Sequence, residues 1–112
     1  IPVDFRPSRH LGILPPDVQL TVYRIVQEGL RNVARHSGAG EVALCIDRQE
    51  GSVKLVIEDD GRGFDRSDPA WKPGLGLASM TERARLIGGT MTIQAAPGRG
   101  TRVCLEVPEV PK

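Results

Sequence analysis

The sequence has little of what marks several classes of protein. It holds two cysteines among its 112 residues, too few for a disulfide scaffold and without the Cys/His spacing of a zinc site. No apolar run approaches the roughly 20 residues that cross a bilayer, and the first residues lack a signal-peptide layout. Acidic and basic residues nearly balance, at a formal net charge of +1, and no basic stripe points to nucleic acid. These absences predict a cytoplasmic domain with reduced thiols that contacts neither membrane nor nucleic acid.

Length and composition fit one globular domain. Apolar residues make up 39% of the chain and charged residues 26%, as in a folded domain with a single core. We therefore expect one domain over residues 1–112. The chain lacks an initiator methionine and opens abruptly at Ile1, which predicts a fragment of a longer protein.

Apolar periodicity and turn residues predict two helices and five strands. The helices are expected at about residues 16–37 and 77–87, and the strands at 3–6, 41–48, 52–60, 90–96 and 101–107. Helices and antiparallel hairpins are mixed here rather than alternating as βαβ units. The predicted fold class is therefore α+β, a two-layer α/β sandwich with a mostly antiparallel sheet and helices on one face.

The first helix carries a polar ridge. On a helical wheel its apolar arc is predicted to hold Val22, Tyr23, Val26, Gly29, Leu30, Val33 and Ala34. The opposite arc is predicted to hold Glu28, Asn32, Arg35 and His36. Such a ridge is either a solvated helix face or one wall of a polar site. The spacing alone does not decide between them.

Two strand positions place polar groups in apolar rows. Alternation sets Asp59 on the same face as Val53, Leu55 and Ile57, and Thr101 begins a similar row. The Asp59 carboxylate then needs donors, either backbone N–H groups of the following turn or an exocyclic amine on a bound base. Thr101 is either an ordinary strand residue or a second polar group at that place. Gly61 and Gly63 leave room for a tight turn or a flat ring.

A glycine-rich segment opens the second helix. Gly74, Gly76 and Leu77 precede or begin it, so backbone N–H groups and the positive end of the helix dipole are available to an anion. The motif alone is weak evidence. It is neither a P-loop nor a Rossmann fingerprint, because the Gly-Lys-Ser/Thr run and the leading strand are missing.

Together these segments resemble the ATP-binding family shared by histidine kinases, gyrase-type topoisomerases, Hsp90 chaperones and MutL proteins. Residues 24–36 are similar to its N box, Asp59-Asp60-Gly61-Arg62-Gly63 to its G1 box, and Gly74-Leu75-Gly76-Leu77 to its G2 box. Gly100-Thr101 fits the final glycine-threonine element. Residues 23–28 and 76–84 resemble most closely the sensor kinases of the NarX and DesK type.

The resemblance implies the Bergerat fold, with ATP and Mg²⁺ as ligands. Asp59 would accept a hydrogen bond from the adenine amino group, with Thr101 supporting the same edge. Asn32 would help to coordinate Mg²⁺, and Glu28 would either orient the metal's ligand shell or act as a polarising base. The remaining implied roles belong to the phosphate end (Arg35, His36), the ring site (Gly61, Gly63) and the hinge of a lid over residues 64–76 (Gly74, Gly76, Leu77). Trp71 in that lid is equally well a surface hydrophobe.

The implied reaction needs an acceptor histidine, and His10 and His36 both stand in unsuitable segments. The resemblance therefore implies a separate dimerisation domain as partner, a LuxR-type response regulator downstream, a monomeric fragment and a homodimeric parent. The fragment is expected to bind ATP with little turnover. Two alternatives remain open, an anti-sigma-factor serine kinase of the same superfamily and a non-catalytic interaction module.

Overall fold

The computed structural model describes residues 3–7, 12–34, 40–49, 51–61 and 77–109. These segments form two helices and five strands, close to the predicted positions. In chain order they are β1 (Val3–Pro7), α1 (Pro16–Asn32), β2 (Val42–Gln49), β3 (Ser52–Asp59), α2 (Leu77–Leu86), β4 (Thr90–Ala95) and β5 (Thr101–Pro108). None of the helices in these segments is long and apolar enough to span a membrane.

The strands form one sheet in the order β1-β2-β3-β5-β4. β1 pairs with β2 in parallel, and the other three pairs are antiparallel. Gln49 pairs with Ser52 across the hairpin between β2 and β3. That two-residue loop turns through Gly51, whose φ of 89° lies in the left-handed region that glycine tolerates. The mixed, mostly antiparallel sheet confirms the predicted fold class.

One face of the sheet carries the core. Side chains alternate along each central strand, and the buried ones are Val42, Leu44, Ile46, Val53, Leu55, Ile57, Val103, Leu105 and Val107. Both helices cover this face, through Ile25 of α1 and through Met80 and Ala84 of α2. Burying each large side chain of this kind contributes about 1.5–3 kcal/mol. The predicted two-layer arrangement is therefore confirmed.

Helix α1 begins where the prolines predict. Pro16 occupies the first turn, where its missing N–H costs nothing, and the Asp17 carboxylate lies at the positive end of the helix dipole. Val33 and Ala34 continue beyond α1 as a wider helical turn. The predicted end near residue 37 lies outside the described residues.

The buried stripe of α1 differs from the predicted one. Val18, Thr21, Ile25 and Gly29 are buried, whereas Tyr23 is 59% exposed. Ala34 is exposed as well. The predicted arc was wrong for these two residues. It is confirmed for the rest, which are buried or pack against the core: Val22, Val26, Gly29, Leu30 and Val33.

The buried stripe also defines where the polar ridge lies. Asn32 lies seven residues after Ile25, which is only about 20° away around a helix. Asn32 and Glu28 are therefore not opposite the buried stripe but beside it, and both are half-buried. Of the two interpretations of the ridge, a solvated face does not describe these two residues.

Candidate functional site

Asp59 and Thr101 face each other at one end of the sheet. Asp59 is the last residue of β3, Thr101 is the first of β5, and the two are cross-strand partners. Directly opposed residues of an antiparallel pair project to the same face, with Cβ atoms about 4.5–5.5 Å apart. Both residues are half-buried. Strand pairing therefore places a carboxylate and a hydroxyl side by side at the rim of the core.

The Asp59 carboxylate is engaged through one oxygen. Its Oδ1 accepts a hydrogen bond of 2.8 Å from the backbone N–H of Gly61, so Asp59 does cap the following turn. Within the described part of the chain, no donor bonds to its other oxygen, Oδ2. Asp59 as a residue is half-buried, and the hydrogen bond at Oδ1 holds the carboxylate in one orientation. Asp59 can therefore cap the turn and accept a ligand's hydrogen bond at once.

Gly100 brings the start of β5 against Asp59. Gly100 is buried with a φ of 75°, and a Cβ atom there would overlap the carbonyl oxygen of Asp59. Only glycine combines this backbone conformation with such a close approach. The sequence motif of glycine before threonine thus has a steric cause, because Gly100 allows Thr101 to reach its partner.

Asp60 performs a structural role that the sequence analysis missed. Its Oδ1 accepts hydrogen bonds from the backbone N–H groups of Gly40 (2.9 Å) and Glu41 (3.0 Å). These bonds fasten the entrance of β2 to the exit of β3. The two adjacent aspartates therefore act on different sides, Asp59 toward the core face and Asp60 toward the β2 entrance.

Glu28 and Asn32 belong to the turn of α1 that packs on β3. Gly29 is buried, and a Cβ atom built on it would lie 2.8 Å from Cδ1 of Ile57. Ile57 precedes Asp59 by two residues and shares its face of the sheet. The Gly29 contact thus holds the helix turn with Glu28 and Asn32 against the strand that ends in Asp59.

The other predicted site residues are described in part or not at all. Leu77 begins α2, where only its backbone is described. Arg35, His36, Gly63, Gly74, Gly76 and the proposed lid lie outside the described residues. The structure therefore brings together Asp59, Gly61 and Thr101, and it places Glu28 and Asn32 on the helix packed beside them.

This arrangement belongs to a known architecture. Residues 17–111 match the family model described as histidine kinase-, DNA gyrase B-, and HSP90-like ATPase. The chain belongs to this family. The match includes both helices and β2 to β5, so it extends over every described residue of the site.

Relatives of this ATPase domain include histidine kinases. The signal transduction histidine-protein kinase/phosphatase DegS of Brevibacillus brevis is 33% identical over 109 residues, which is 95% of this chain and 27% of that protein. The oxygen sensor histidine kinase NreB of Staphylococcus carnosus is 39% identical over 82% of this chain and 26% of its own length. The ATPase domain thus spans about a quarter of these relatives. These matches confirm the resemblance to sensor kinases of the NarX and DesK type.

Solved structures of similar fold are histidine kinase domains. The histidine kinase domain of the Erythrobacter litoralis EL346 blue-light activated kinase superposes with a TM-score of 0.80 at 22% identity, covering 96% of this chain and 51% of that one. The ATP-binding domain of PrrB from Mycobacterium tuberculosis gives a TM-score of 0.71 at 29% identity, covering 99% and 82%. The first of these likenesses concerns the fold alone.

Proposed function

We propose that this domain binds Mg-ATP and, within a longer sensor kinase, donates the γ-phosphoryl group to a histidine of a separate dimerisation domain. The observation that carries the proposal is the Asp59 carboxylate, which has one oxygen fixed by Gly61 and the other without a described donor, beside Thr101. In a chain of this ATPase family, such a pair suits the amino edge of adenine.

Adenine recognition would use Asp59 and Thr101 together. A carboxylate accepts only, whereas a hydroxyl both donates and accepts. The exocyclic amine of adenine donates, so it matches Oδ2 of Asp59, and the Thr101 hydroxyl can bond an adjacent ring nitrogen directly or through water. Gly61 has no side chain to obstruct the ring, and Gly63 has the same proposed role.

The α1 ridge offers suitable oxygen ligands for Mg²⁺. Glu28 and Asn32 stand one turn apart, which sets their side chains on neighbouring positions of the helix. Among the described residues, no group of three or more His, Cys, Asp or Glu side chains could cage a metal. Mg²⁺ typically takes one or two protein oxygens and completes its shell with phosphates and water. When bound, Mg²⁺ would neutralise charge on the phosphates.

Phosphoryl transfer would be mainly a matter of positioning. An imidazole nitrogen of the acceptor histidine forms a bond to the γ-phosphorus while the bond from that phosphorus to the bridging oxygen of the β-phosphate breaks. ADP leaves with the electron pair of that bond, and the imidazole loses its N–H proton. Glu28 would orient the metal shell or polarise that N–H. Arg35 and His36, and the hinge residues Gly74, Gly76 and Leu77, are proposed to act at the phosphate end.

The proposed setting is a two-component system. The parent would be a homodimer whose dimerisation domain carries the acceptor, and the phosphoryl group would pass to a LuxR-type response regulator. The domain would work in the cytoplasm, in a soluble sensor or as part of a membrane-anchored one. The relatives, all considerably longer than this chain, support a partner domain of this kind.

Calorimetric titration with a non-hydrolysable ATP analogue, with and without Mg²⁺, tests nucleotide binding first. We expect binding that strengthens with Mg²⁺ and a clear preference over the guanine analogue, whose ring presents a carbonyl in place of the adenine amine. A domain that binds no adenine nucleotide would instead be a non-catalytic interaction module.

The chemistry of the product then tests the acceptor. The domain is mixed with ATP, Mg²⁺ and the histidine-bearing dimerisation domain of the parent. A phosphoramidate on histidine is labile in acid and stable in alkali, and this is the expected product. If the domain instead forms acid-stable phosphoserine on an anti-sigma antagonist, the proposal is wrong and the serine kinase alternative is correct.

A further inference from the structure

Three arginines line a groove between the two helices. Arg24, Glu28 and Arg31 of α1 face Ser79, Met80 and Arg83 of α2 across it. Gln27 of α1 also lines it, and we call these seven residues the arginine groove. Met80 is 1% exposed, whereas the three arginines are exposed. The groove therefore has a buried methionine beneath mainly cationic walls.

The positive charge of the groove is not balanced by the described part of the chain. Among the described residues, the arginines that form ion pairs are Arg6, Arg48, Arg85 and Arg102. None of these four lines the groove. Arg24 instead contacts neutral groups, the Gln27 amide at 3.5 Å and the Tyr23 ring at 6.0 Å from its centroid. Three guanidinium groups face one carboxylate, that of Glu28. An exposed cluster of this kind attracts a ligand with carboxylates, to which guanidinium groups bond in a directed way.

We propose that the arginine groove receives the helix that carries the phosphoacceptor histidine, and that it recognises acidic residues on that helix. The identity of this occupant rests on the proposed function, because Glu28, the proposed metal-orienting or polarising carboxylate, lies inside the groove. A helix seated there would be in contact with Glu28, so docking and phosphoryl transfer would occur at the same place.

The spacing of the charges fits a helical occupant. Arg24 and Arg31 are seven residues apart on α1, which is about 10.5 Å along a helix axis at 1.5 Å per residue. One phosphate group does not span that distance, but carboxylates about two turns apart on a second helix do. A groove between helices can also receive an amphipathic helix, and here Met80 is the apolar group that such a helix would meet.

The position of Glu28 restricts which residue of the partner helix can lie between those two carboxylates. Glu28 lies between Arg24 and Arg31 along α1, so it would repel a third acidic group on the partner at that level. The partner turn facing Glu28 must therefore be neutral or a proton donor. A neutral imidazole meets this requirement, because its N–H can donate to the carboxylate.

Peptide binding tests the proposal with defined probes. The first probe is an alanine-rich helical peptide with two glutamates about two turns apart and a histidine in the turn between them. The second replaces both glutamates by glutamine. Fluorescence anisotropy is measured with the 112-residue domain, in the presence of the ATP analogue and Mg²⁺, at low and high salt. We expect the glutamate peptide to bind more tightly than the glutamine peptide, with a difference that shrinks in high salt.

Variants of the chain identify the groove. The affinity for the glutamate peptide should fall by about two- to fivefold, the range of exposed charge pairs, in each of the variants Arg24→Gln, Arg31→Gln and Arg83→Gln. Arg85→Gln is the matched control, since Arg85 is also on α2 but pairs with Glu82 outside the groove. All four variants should keep the wild-type unfolding temperature and affinity for the ATP analogue.

Each contrary result points to a different error. If the two peptides bind alike while the ATP analogue still binds, the groove proposal is overturned and the proposed function stands. A loss of nucleotide affinity in the arginine variants would assign these arginines to the ATP phosphates and overturn the groove proposal. If the wild-type domain binds no nucleotide, the proposed function fails first. If Arg85→Gln weakens binding of the glutamate peptide equally, the effect comes from the overall charge of the domain. That result would also overturn the groove proposal.

Discussion

Gly100 lies so close to the carbonyl oxygen of Asp59 that position 100 has no room for a Cβ atom. We predict that Gly100→Ala destabilises the domain by at least about 3 kcal/mol, because left-handed strain adds to a backbone clash. It should also abolish binding of the ATP analogue under conditions in which the variant is folded, since Thr101 is displaced from Asp59. Chemical denaturation and calorimetry measure the two effects.

The control for this prediction is Gly98→Ala in the same turn. Gly98 has the same φ of 75°, but nothing lies within 4 Å of a Cβ atom built on it. It should therefore lose only about 1–2 kcal/mol from left-handed strain and keep its nucleotide affinity. If the two variants lose equal stability, the close contact between position 100 and Asp59 does not contribute to the loss.

The adjacent aspartates should separate binding from stability. Asp59→Asn keeps an oxygen for the Gly61 N–H but can present an NH₂ group to adenine, so it should lose at least about tenfold in ATP affinity without losing stability. Asp60→Ala removes the acceptor of the Gly40 and Glu41 N–H groups. It should cost about 1 kcal/mol of stability and leave the affinity unchanged. Unchanged affinity in Asp59→Asn would remove Asp59 from the adenine site.

The elements that were correctly predicted have local causes. The core faces of β3 and β5 follow from alternation within each strand, and the turn at Gly51 follows from its own backbone freedom. Alternation also predicts that Asp59 and Thr101 both lie on the core face, without any knowledge of which strands pair. The roles of Gly63, Gly74, Arg35 and the other residues outside the described segments stay predictions.

The features that were missed depend on how distant segments approach each other. Gly100 contacts Asp59 on the neighbouring strand, and Asp60 bonds to the entrance of β2. Both contacts join segments that are distant in the sequence, so neither has a local signal. The buried face of α1 was predicted only in part for a similar reason, because Ile25 belongs to it and Tyr23 does not. Gly29 belongs to the predicted apolar arc, but its close approach to Ile57 has no local signal in the sequence.

Asn32 should contribute to affinity only in the presence of the metal. Asn32→Ala removes a half-buried amide oxygen proposed as a Mg²⁺ ligand, so affinity for the ATP analogue should fall about tenfold with Mg²⁺, equivalent to about 1.4 kcal/mol. Without Mg²⁺ it should change little. Gln27→Ala, which removes an exposed amide from the same helix, serves as the control and should have no such effect. An equal loss in Asn32→Ala with and without Mg²⁺ would contradict the metal role.

Arg48 and Glu109 should make stability depend on pH. Glu109 accepts two hydrogen bonds from Arg48, from Nε at 2.9 Å and from Nη2 at 2.8 Å. These bonds lower the pKa of Glu109 below its ordinary value. The folded state therefore binds protons less readily there than the unfolded chain. The contribution is present above the ordinary glutamate pKa and is lost as the pH falls through the lowered one.

We accordingly expect Glu109→Gln to be modestly less stable than the wild type at neutral pH. The difference should disappear in acid, where the wild-type carboxyl is protonated as well. Urea denaturation from about pH 7 to about pH 2 measures it. Glu106→Gln, at an exposed position of β5 with no ion pair among the described residues, is the control for the loss of one negative charge. A constant difference across this range would mean that Glu109 acts through packing rather than charge.

The contact between Gly29 and Ile57 should be testable by a compensating pair. Alanine at position 29 gains about 0.8–1.0 kcal/mol of helix propensity, but its Cβ would lie 2.8 Å from Cδ1 of Ile57. Overpacking of this kind costs about 1–3 kcal/mol, so we expect Gly29→Ala to be destabilised by about 1 kcal/mol. It should also bind Mg-ATP less tightly, because the displaced helix carries Glu28 and Asn32.

Ile57→Val removes the methyl group that the new Cβ would meet, and alone it should cost about 0.5–1.5 kcal/mol. In the double variant the two changes fit together, so alanine at position 29 should now stabilise by about 1 kcal/mol relative to Ile57→Val. Mg-ATP affinity should recover with it. If Gly29→Ala weakens Mg-ATP equally in both backgrounds, the spacing of helix and strand is not what the glycine provides. Additive effects on stability would mean that Cδ1 of Ile57 is not the atom that opposes a side chain at position 29.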